Sequence, residues 1–419
     1  MTKAVKKDPP AAEHGMQSKS QTAYVSIVVL IVLVSIGAMF FSSDKMKFNL
    51  SATQSEIAFT LDDLDGAGRL TLVPITIAPP LDFIRAQSVL TEINDWHFRE
   101  LDPLGVQRFL LDAGLEPSTV TLLVDRATFN SEVSETVVPV NKDLLWGLKP
   151  DVRQRIYIKL TDDHKNPMQL SAYRYCGKSL DDWFNGADVS EELKNLISKF
   201  IYRDGCYMFF ADLPLILDRI SMAALPKLLH ALYRQSTYLV KLNIFPEVNV
   251  DGLVNYWGYG GRAKDVRSIL ESMMRIKGGE KIDIVHVLPP SARRRLYTFP
   301  PPGTEVVGAG HRDCHWTAYN FFNLDPDDRF ADPAIIAATL RSDYVEVDKP
   351  RYGDLVTYSR PNGVIFHTAN YIASGLVYTK TGSKATWPWL IAKVDDMAHF
   401  YPKTTPILLR YFRLKSLNR

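Results

Sequence analysis

An uncharged apolar segment, residues 23–41, limits what the beginning of this chain can form. Its sequence is AYVSIVVLIVLVSIGAMFF. At a helical rise of about 1.5 Å per residue it reaches roughly 30 Å, the thickness of the hydrocarbon core of a bilayer. A cleaved signal peptide is the alternative, but the bulky residues Met39, Phe40 and Phe41 stand where a small-residue cleavage site is needed. The segment predicts a single transmembrane helix with the lipid bilayer as its partner.

Lysines around this segment predict its orientation. More of them precede the segment than follow it closely: Lys3, Lys6, Lys7 and Lys19 before, Lys45 and Lys47 after. Positive flanks favour the cytoplasmic side. We therefore expect the N-terminus inside the cytoplasmic membrane and the bulk of the chain in the periplasm or outside the cell. Residues 1–22 have too little apolar content to fold and are predicted to be a disordered cytoplasmic leader.

The net charge bears on which partners the chain could bind, and the cysteines bear on whether it contains a disulfide bond. The formal net charge of +2 gives no reason to expect nucleic acid as a partner. The chain has three cysteines, and an exported chain lies in an oxidising compartment. The simplest interpretation is a disulfide between Cys176 and Cys206 that leaves Cys314 as a free thiol. Three unpaired buried cysteines are the alternative.

Hydrophobic periodicity divides the exported part into two regions. Residues 42–278 contain one strand-like run, RLTLVPITIA, and then mostly helical patterns, and they carry no motif that indicates a role. Near residues 278–281 the pattern changes from helix-rich to strand-rich, and the proline-rich sequence FPPPG follows at 299–303. The expected fold class is α+β, with a mainly helical middle domain and a second domain at residues 279–419.

Cys314 lies in the sequence HRDCHWTAYNFFN, where Asp313 is suited to cap the N-terminus of a helix. Cys314 would then occupy the first helical turn. The partial positive charge and the free backbone N–H groups there favour a thiolate, as a nucleophilic cysteine requires. The same N–H groups are suited to bind the oxyanion of a tetrahedral intermediate.

His367 lies in the middle of the predicted strand VIFHTANYI, residues 364–372. Alternation along the strand places it on one face with Ile365 and Ala369, from which its ring could project toward a helix packed on the sheet. A cysteine at a helix N-terminus and a histidine on a facing strand form a thiolate–imidazolium pair. The sequence alone leaves open whether Cys314 and His367 meet.

Residues 297–391 resemble the NlpC-like cysteine peptidases of bacterial cell walls, which have a papain-related fold. The shared motifs are an Asp-Cys pair that opens a helix, a Gly-Asp-Leu turn into a strand, and a His-x-x-x-Tyr-Ile strand. In this chain they are Asp313–Cys314, Gly353–Asp354–Leu355, and His367 with Tyr371 and Ile372. The resemblance implies that residues 279–419 fold as a helix packed on an antiparallel sheet and need no cofactor.

The resemblance also implies roles for individual residues. Cys314 would be the nucleophile, His367 the general base and Thr379 the third catalytic member. His315 takes the position whose backbone N–H contributes to the oxyanion hole, and Tyr297 takes the place of a further oxyanion donor.

The expected function is therefore that of a membrane-anchored thiol peptidase or amidase that cleaves an amide bond, with cell-wall stem peptides as the implied substrate. The main alternative is a non-catalytic envelope scaffold with a degenerate papain-like domain. An acyltransferase would use the same pair of residues. A zinc site built from His311, Cys314 and His315 and completed by His367 or His399 is a further hypothesis, although structural zinc usually draws on more than one such cluster.

Overall fold

The structure is a computed structural model that describes residues 58–85, 87–308, 310–402 and 404–417. The predicted leader and the predicted transmembrane segment, residues 1–22 and 23–41, lie outside these ranges. Within the described ranges, no helix combines the length and the apolar character needed to cross a bilayer. Residues 56–419 belong to one compact unit.

The strands of the described residues form five sheets. Strands β1, β2, β9 and β10 form a four-stranded sheet, in that order: Phe59–Leu61, Leu70–Ile77, Gln235–Ile244 and Glu280–Asp283. One three-stranded sheet has the order β3-β5-β4, with the bounds Trp96–Arg99, Glu135–Val138 and Thr128–Asn130. Another has the order β6-β8-β7, with the bounds Tyr173–Cys176, Tyr207–Phe210 and Tyr202–Asp204. A short pair joins β11 and β12, Val306–Val307 and Gly310–His311.

The fifth sheet is antiparallel throughout and has six strands in the order β13-β18-β14-β15-β16-β17. Their bounds are Tyr344–Val347, Leu408–Leu414, Leu355–Ser359, Ile365–Ala373, Leu376–Lys380 and Trp389–Lys393. This central sheet carries His367 on β15 and Thr379 on β16.

The α-helices of the described residues are short and surround these sheets. Helices α1 to α8 are Leu81–Arg85, Pro103–Asp112, Pro117–Asp125, Lys142–Gly147, Pro150–Leu160, Pro167–Leu170, Leu180–Phe184 and Glu191–Ser198. Helices α9 to α16 are Leu213–Ile216, Leu225–Leu232, Val250–Trp257, Ala263–Met274, Pro290–Arg295, Cys314–Tyr319, Pro333–Asp343 and Val394–Phe400. Short 3-10 helices lie at Leu217–Arg219, Ile284–His286, Asp328–Ala331 and Lys415–Leu417.

The predicted fold class of the described part, a mainly helical middle domain followed by a papain-like domain, is wrong. The described residues form a mixed α/β structure in which strands of the middle region make up two whole sheets and three of the four strands of a third. The sequences WHFR, YRYC and YMFF are strands of only four residues. Short apolar runs of this kind do not reveal by periodicity whether they are strands or helices.

The expected boundary near residues 278–281 lies inside continuous structure. Glu280 of β10 pairs with Ile244 of β9 across it. The larger hydrophobic core joins Trp183 to Tyr358 of the central sheet, and a second core joins Trp257 to Tyr378. Residues from both sides of the expected boundary therefore share the same cores, and the central sheet is held in place by the middle region.

Candidate active site

Helix α14 begins at Cys314, as the Asp313 cap predicts. One carboxylate oxygen of Asp313 accepts hydrogen bonds from the backbone N–H groups of His315, at 2.8 Å, and Trp316, at 3.1 Å. Cys314 itself is 4% exposed. The N–H of His315, which the resemblance assigns to an oxyanion hole, is therefore already bonded to the Asp313 carboxylate.

Helix α14 packs on the face of β15 that carries Thr368 and Asn370. Nδ1 of His315 lies 2.8 Å from the Thr368 hydroxyl, and the Asn370 side chain donates to the Ala318 carbonyl at 3.0 Å. Because successive side chains of a strand point to opposite faces, His367 lies on the other face. There its ring packs against Tyr358, with 5.4 Å between the ring centroids.

Both ring nitrogens of the buried His367 have hydrogen-bond partners on that other face. Nε2 lies 3.0 Å from the Thr379 hydroxyl and Nδ1 lies 3.1 Å from the Tyr401 hydroxyl. The Tyr401 hydroxyl donates its hydrogen to the Thr381 carbonyl. A neutral His367 satisfies this arrangement if Nδ1–H donates to Tyr401 and Nε2 accepts from Thr379.

The structure thus brings together the proposed base and the proposed third member, His367 and Thr379. No hydrogen bond connects His367 with Cys314 in the described part of the chain. The link between them runs through Tyr401, whose pKa is raised by burial and then by the electrostatic effect of Cys314, and whose hydroxyl lies 3.1 Å from Nδ1 of His367.

Lys380 lies on the same face of the central sheet as α14. It pairs in register with Trp389 of β17, and the Trp389 indole N–H donates to the Thr317 hydroxyl of α14 at 3.0 Å. Directly paired residues of neighbouring strands share a face. Lys380 is fully buried, and its Nζ lies 5.7 Å from the centroid of the Trp389 ring.

The surroundings of Lys380 change its charge at neutral pH. Burial lowers the pKa of its ammonium to about 7, and the largest opposing electrostatic effect comes from Cys314, followed by Asp313 and Glu305. Nζ donates to the carbonyl oxygens of Gly382 and Lys384. An amine with a pKa near 7 exists in both protonation states at neutral pH, so Lys380 is able to accept a proton there.

His315 is the histidine next to Cys314 in the sequence. Burial lowers the pKa of its ring, and the negative charge of Asp313 only partly opposes this effect. A carboxylate oxygen of Asp313, Sγ of Cys314 and a ring nitrogen of His315 lie within 4.8 Å of one another. These are the atoms at α14 that could share a metal ion. His311 is an exposed residue of β12 and is not part of this group. The two histidines proposed to complete the zinc site have other partners: His367 as described, and His399 with Asp204 at 2.9 Å.

Tyr297 and the paired cysteines complete the set of predicted residues. The Tyr297 hydroxyl donates its hydrogen to the Tyr238 carbonyl at 2.5 Å, so it has no second hydrogen to offer an oxyanion. Burial also raises its pKa. Cys176 and Cys206 form a disulfide bond, and Cys314 is a free thiol.

Lys380, Thr368 and Tyr401 are residues at this site that the sequence analysis did not assign. Lys380 has a signal in the sequence, since it is the only charged residue of the strand LVYTK. It follows Thr379 directly, so the two side chains lie on opposite faces of the sheet. Thr368 has none, because a threonine within a strand is ordinary.

The chain matches no model of a known protein family, no curated protein and no solved structure in the three comparisons made.

Proposed function

We propose that this protein is a thiol-dependent hydrolase of amide bonds in which Cys314 is the nucleophile and Lys380 is the general base. The observation that supports this proposal is the position of Lys380, which lies buried on the sheet face covered by the helix that begins at Cys314. His367 lies on the other face and has partners for both ring nitrogens.

The reaction begins when the neutral amine of Lys380 takes the proton of the Cys314 thiol. The thiolate then attacks the carbonyl carbon of the substrate, and the C–N bond breaks as the leaving amine takes a proton from the Lys380 ammonium. Water then gives a proton to Lys380 as its oxygen attacks the thioester carbonyl carbon. The C–S bond breaks to release the carboxylic acid, and the Cys314 thiolate takes the proton back from the Lys380 ammonium. The carbonyls of Gly382 and Lys384 accept two hydrogens of Nζ, so both hydrogen bonds persist in the neutral and charged forms.

The disulfide bond and the sequence motifs around Cys314 and His367 indicate the compartment and the substrate. A disulfide between Cys176 and Cys206 is typical of proteins in oxidising compartments, which favours export from the cytoplasm. The resemblance of the Cys314 and His367 motifs favours cell-wall stem peptides as the first substrates to test.

Incubation of the purified protein with purified cell-wall peptides, followed by mass spectrometry, tests the proposal. We expect cleavage by the wild-type protein and by His367→Phe, and loss of cleavage in Cys314→Ser and Lys380→Met. Cleavage that survives in Cys314→Ser would contradict the thiol mechanism. Cleavage that survives in Lys380→Met and disappears in His367→Phe would restore His367 as the base.

A non-catalytic binding protein is the second candidate function. Two observations favour it: Cys314 is 4% exposed, and the Asp313 carboxylate occupies the N–H of His315. In that case the wild-type protein binds cell-wall peptides without cleaving them, and Cys314→Ser binds them equally well.

A further inference from the structure

A separate cavity of about 160 Å³ lies between the middle region and the central sheet. Its walls include aromatic and polar side chains from β6, from the end of α10 and the start of β9, and from the loop between β16 and β17: Tyr173, Arg174, Tyr233, Gln235, Lys384 and Trp387. A cavity of about 150 Å³ holds a molecule the size of benzene. The space is therefore suited to one small organic molecule. None of the site residues Cys314, Lys380 or His367 lines it.

Arg174 gives this cavity a positive charge that no carboxylate of the described residues balances. Three aromatic rings offset it in part: the guanidinium carbon lies 4.8 Å from the centroid of the Phe400 ring, 5.5 Å from that of Phe209 and 5.9 Å from that of Trp387. The residue is 6% exposed, and its guanidinium donates to the carbonyl oxygens of Ala172, Phe400 and Leu170 at 3.1, 2.7 and 3.0 Å. No carboxylate among the described residues forms an ion pair with it. A guanidinium has five N–H donors, so two remain beyond those three bonds.

Other buried arginines of the chain have a carboxylate partner. Arg153 lies 3.1 Å from Asp212, and Arg413 lies 2.6 Å from Asp354. Burying a charge without an opposite charge is costly, which is why such groups are normally paired. Arg174 departs from the pattern of this protein, and it does so where a cavity adjoins it.

Lys384 adds a second positive charge at the rim of the cavity. Its Nζ lies 5.6 Å from the centroid of the Trp387 ring and has no ion-pair partner in the described ranges. Although much of the side chain is exposed, partial burial of the ammonium and the charge of Arg174 lower its pKa. Two cations therefore face one small space that contains no carboxylate.

We propose that this cavity binds a small organic carboxylate. The carboxylate would lie against Arg174 and Lys384, because a guanidinium matches the geometry of a carboxylate and charge-assisted hydrogen bonds are strong. The apolar part of the ligand would pack against Tyr173, Tyr233 and Trp387. The site does not depend on the proposed hydrolase activity.

The same loop links this cavity to the candidate active site. Lys384 presents its side chain to the cavity, while its backbone carbonyl accepts a hydrogen bond from Lys380 at 3.2 Å. A ligand in the cavity therefore contacts the loop that holds the proposed base.

Titration calorimetry of the full chain with benzoate and benzamide tests the proposal, since the two molecules have nearly the same shape and differ in charge. We expect benzoate to bind and benzamide to bind at least about tenfold more weakly, as a charged hydrogen bond implies. Lys384→Met should weaken benzoate binding by about tenfold without affecting the fold, because its side chain lies at the rim. Arg174→Met is less suitable, because it also removes three hydrogen bonds to carbonyls.

Ala172→Leu is the second variant, since Ala172 is buried and lines the cavity. If this variant retains the wild-type circular dichroism spectrum, it should abolish benzoate binding. The proposal is overturned if benzoate does not bind at about 10 mM, if benzamide binds equally well, or if benzoate binds Lys384→Met or folded Ala172→Leu as it binds the wild type.

Discussion

His367 and Thr368 are consecutive residues of β15 whose side chains lie on opposite faces of the central sheet. Thr368 hydrogen bonds to His315 in the helix that begins at Cys314, whereas His367 hydrogen bonds to Thr379 and Tyr401. A single step along the strand separates these environments. The histidine that the sequence indicates as a base packs against Tyr358 and Tyr401 of the larger hydrophobic core, and the residue beside it faces the thiol helix.

Replacement of His367 by phenylalanine should reduce stability without changing the chemistry at Cys314. The variant removes two buried hydrogen bonds, each worth about 0.5–1.5 kcal/mol, while the Thr379 and Tyr401 hydroxyls keep their bonds to the carbonyls of Lys380 and Thr381. Urea unfolding measures the loss, and alkylation of Cys314 in the same variant should proceed within about twofold of the wild-type rate. A tenfold slower alkylation in a folded His367→Phe protein would mean that His367 acts on the thiol after all.

The burial of Lys380 should make stability depend on pH. Its pKa in the folded state is about 7, below its ordinary value of 10.5, so the folded state releases the proton first. The free energy of unfolding therefore rises as the pH increases from about 7 to about 10, by an amount on the order of 5 kcal/mol at most, and is lowest below pH 7.

Urea unfolding of the wild type and of Lys380→Met over this pH range isolates the effect. Lys380→Met should lack this rise and should be more stable relative to the wild type at pH 6 than at pH 10. Parallel curves for the two proteins would show that Lys380 is charged to the same extent when folded and unfolded.

Asp313 should stabilise α14 through its hydrogen bonds to backbone N–H groups. Asp313→Ala removes the acceptor for His315 and Trp316, and loss of such a cap costs about 0.5–2 kcal/mol. Asp313→Asn is the matched control, because an asparagine side chain accepts the same bonds and should lose much less stability. Equal losses in the two variants, measured by thermal unfolding, would assign the effect to charge rather than to capping.

The disulfide between Cys176 and Cys206 should contribute to stability by restricting the unfolded chain. For a separation of 30 residues, loop entropy corresponds to about 3–4 kcal/mol. Addition of dithiothreitol should destabilise the wild type and Cys314→Ser to the same extent, and should not affect the double variant Cys176→Ser/Cys206→Ser. A response to the reductant that disappears in Cys314→Ser would instead assign the sensitivity to the free thiol.

Local signals in the sequence locate the start of α14 and the strand that carries His367. Asp313 is a good capping residue whose bonds reach only three residues along the chain, so its effect can be predicted without the rest of the fold. The spacing of Cys176 and Cys206 likewise indicates the disulfide that the structure contains. The helix cap and the disulfide bond could both be predicted because each depends on only a few residues.

The face on which His367 lies could not be predicted from the sequence. Residues 367–373 of β15 are all buried, so the pattern does not mark one face as the side covered by α14. An irregularity in the pairing of β14 and β15 near Ile365 and His367 also interrupts the alternation that starts from Ile365. The middle region packs on the sheet face that carries Tyr358, and this packing encloses the His367 side chain there. No local signal in the sequence predicts that packing.

The rate of Cys314 alkylation at pH 7 tests the proposed pairing of Cys314 with Lys380 most directly. Iodoacetamide would be used at limiting concentration, with the product quantified by mass spectrometry of the Cys314 peptide. Lys393→Met is the control, since Lys393 is a lysine of the neighbouring strand whose Nζ lies over the Phe59 ring. We predict that Lys380→Met alkylates about tenfold more slowly than the wild type at pH 7, and that Lys393→Met is unchanged. An unchanged rate in Lys380→Met would contradict the pairing.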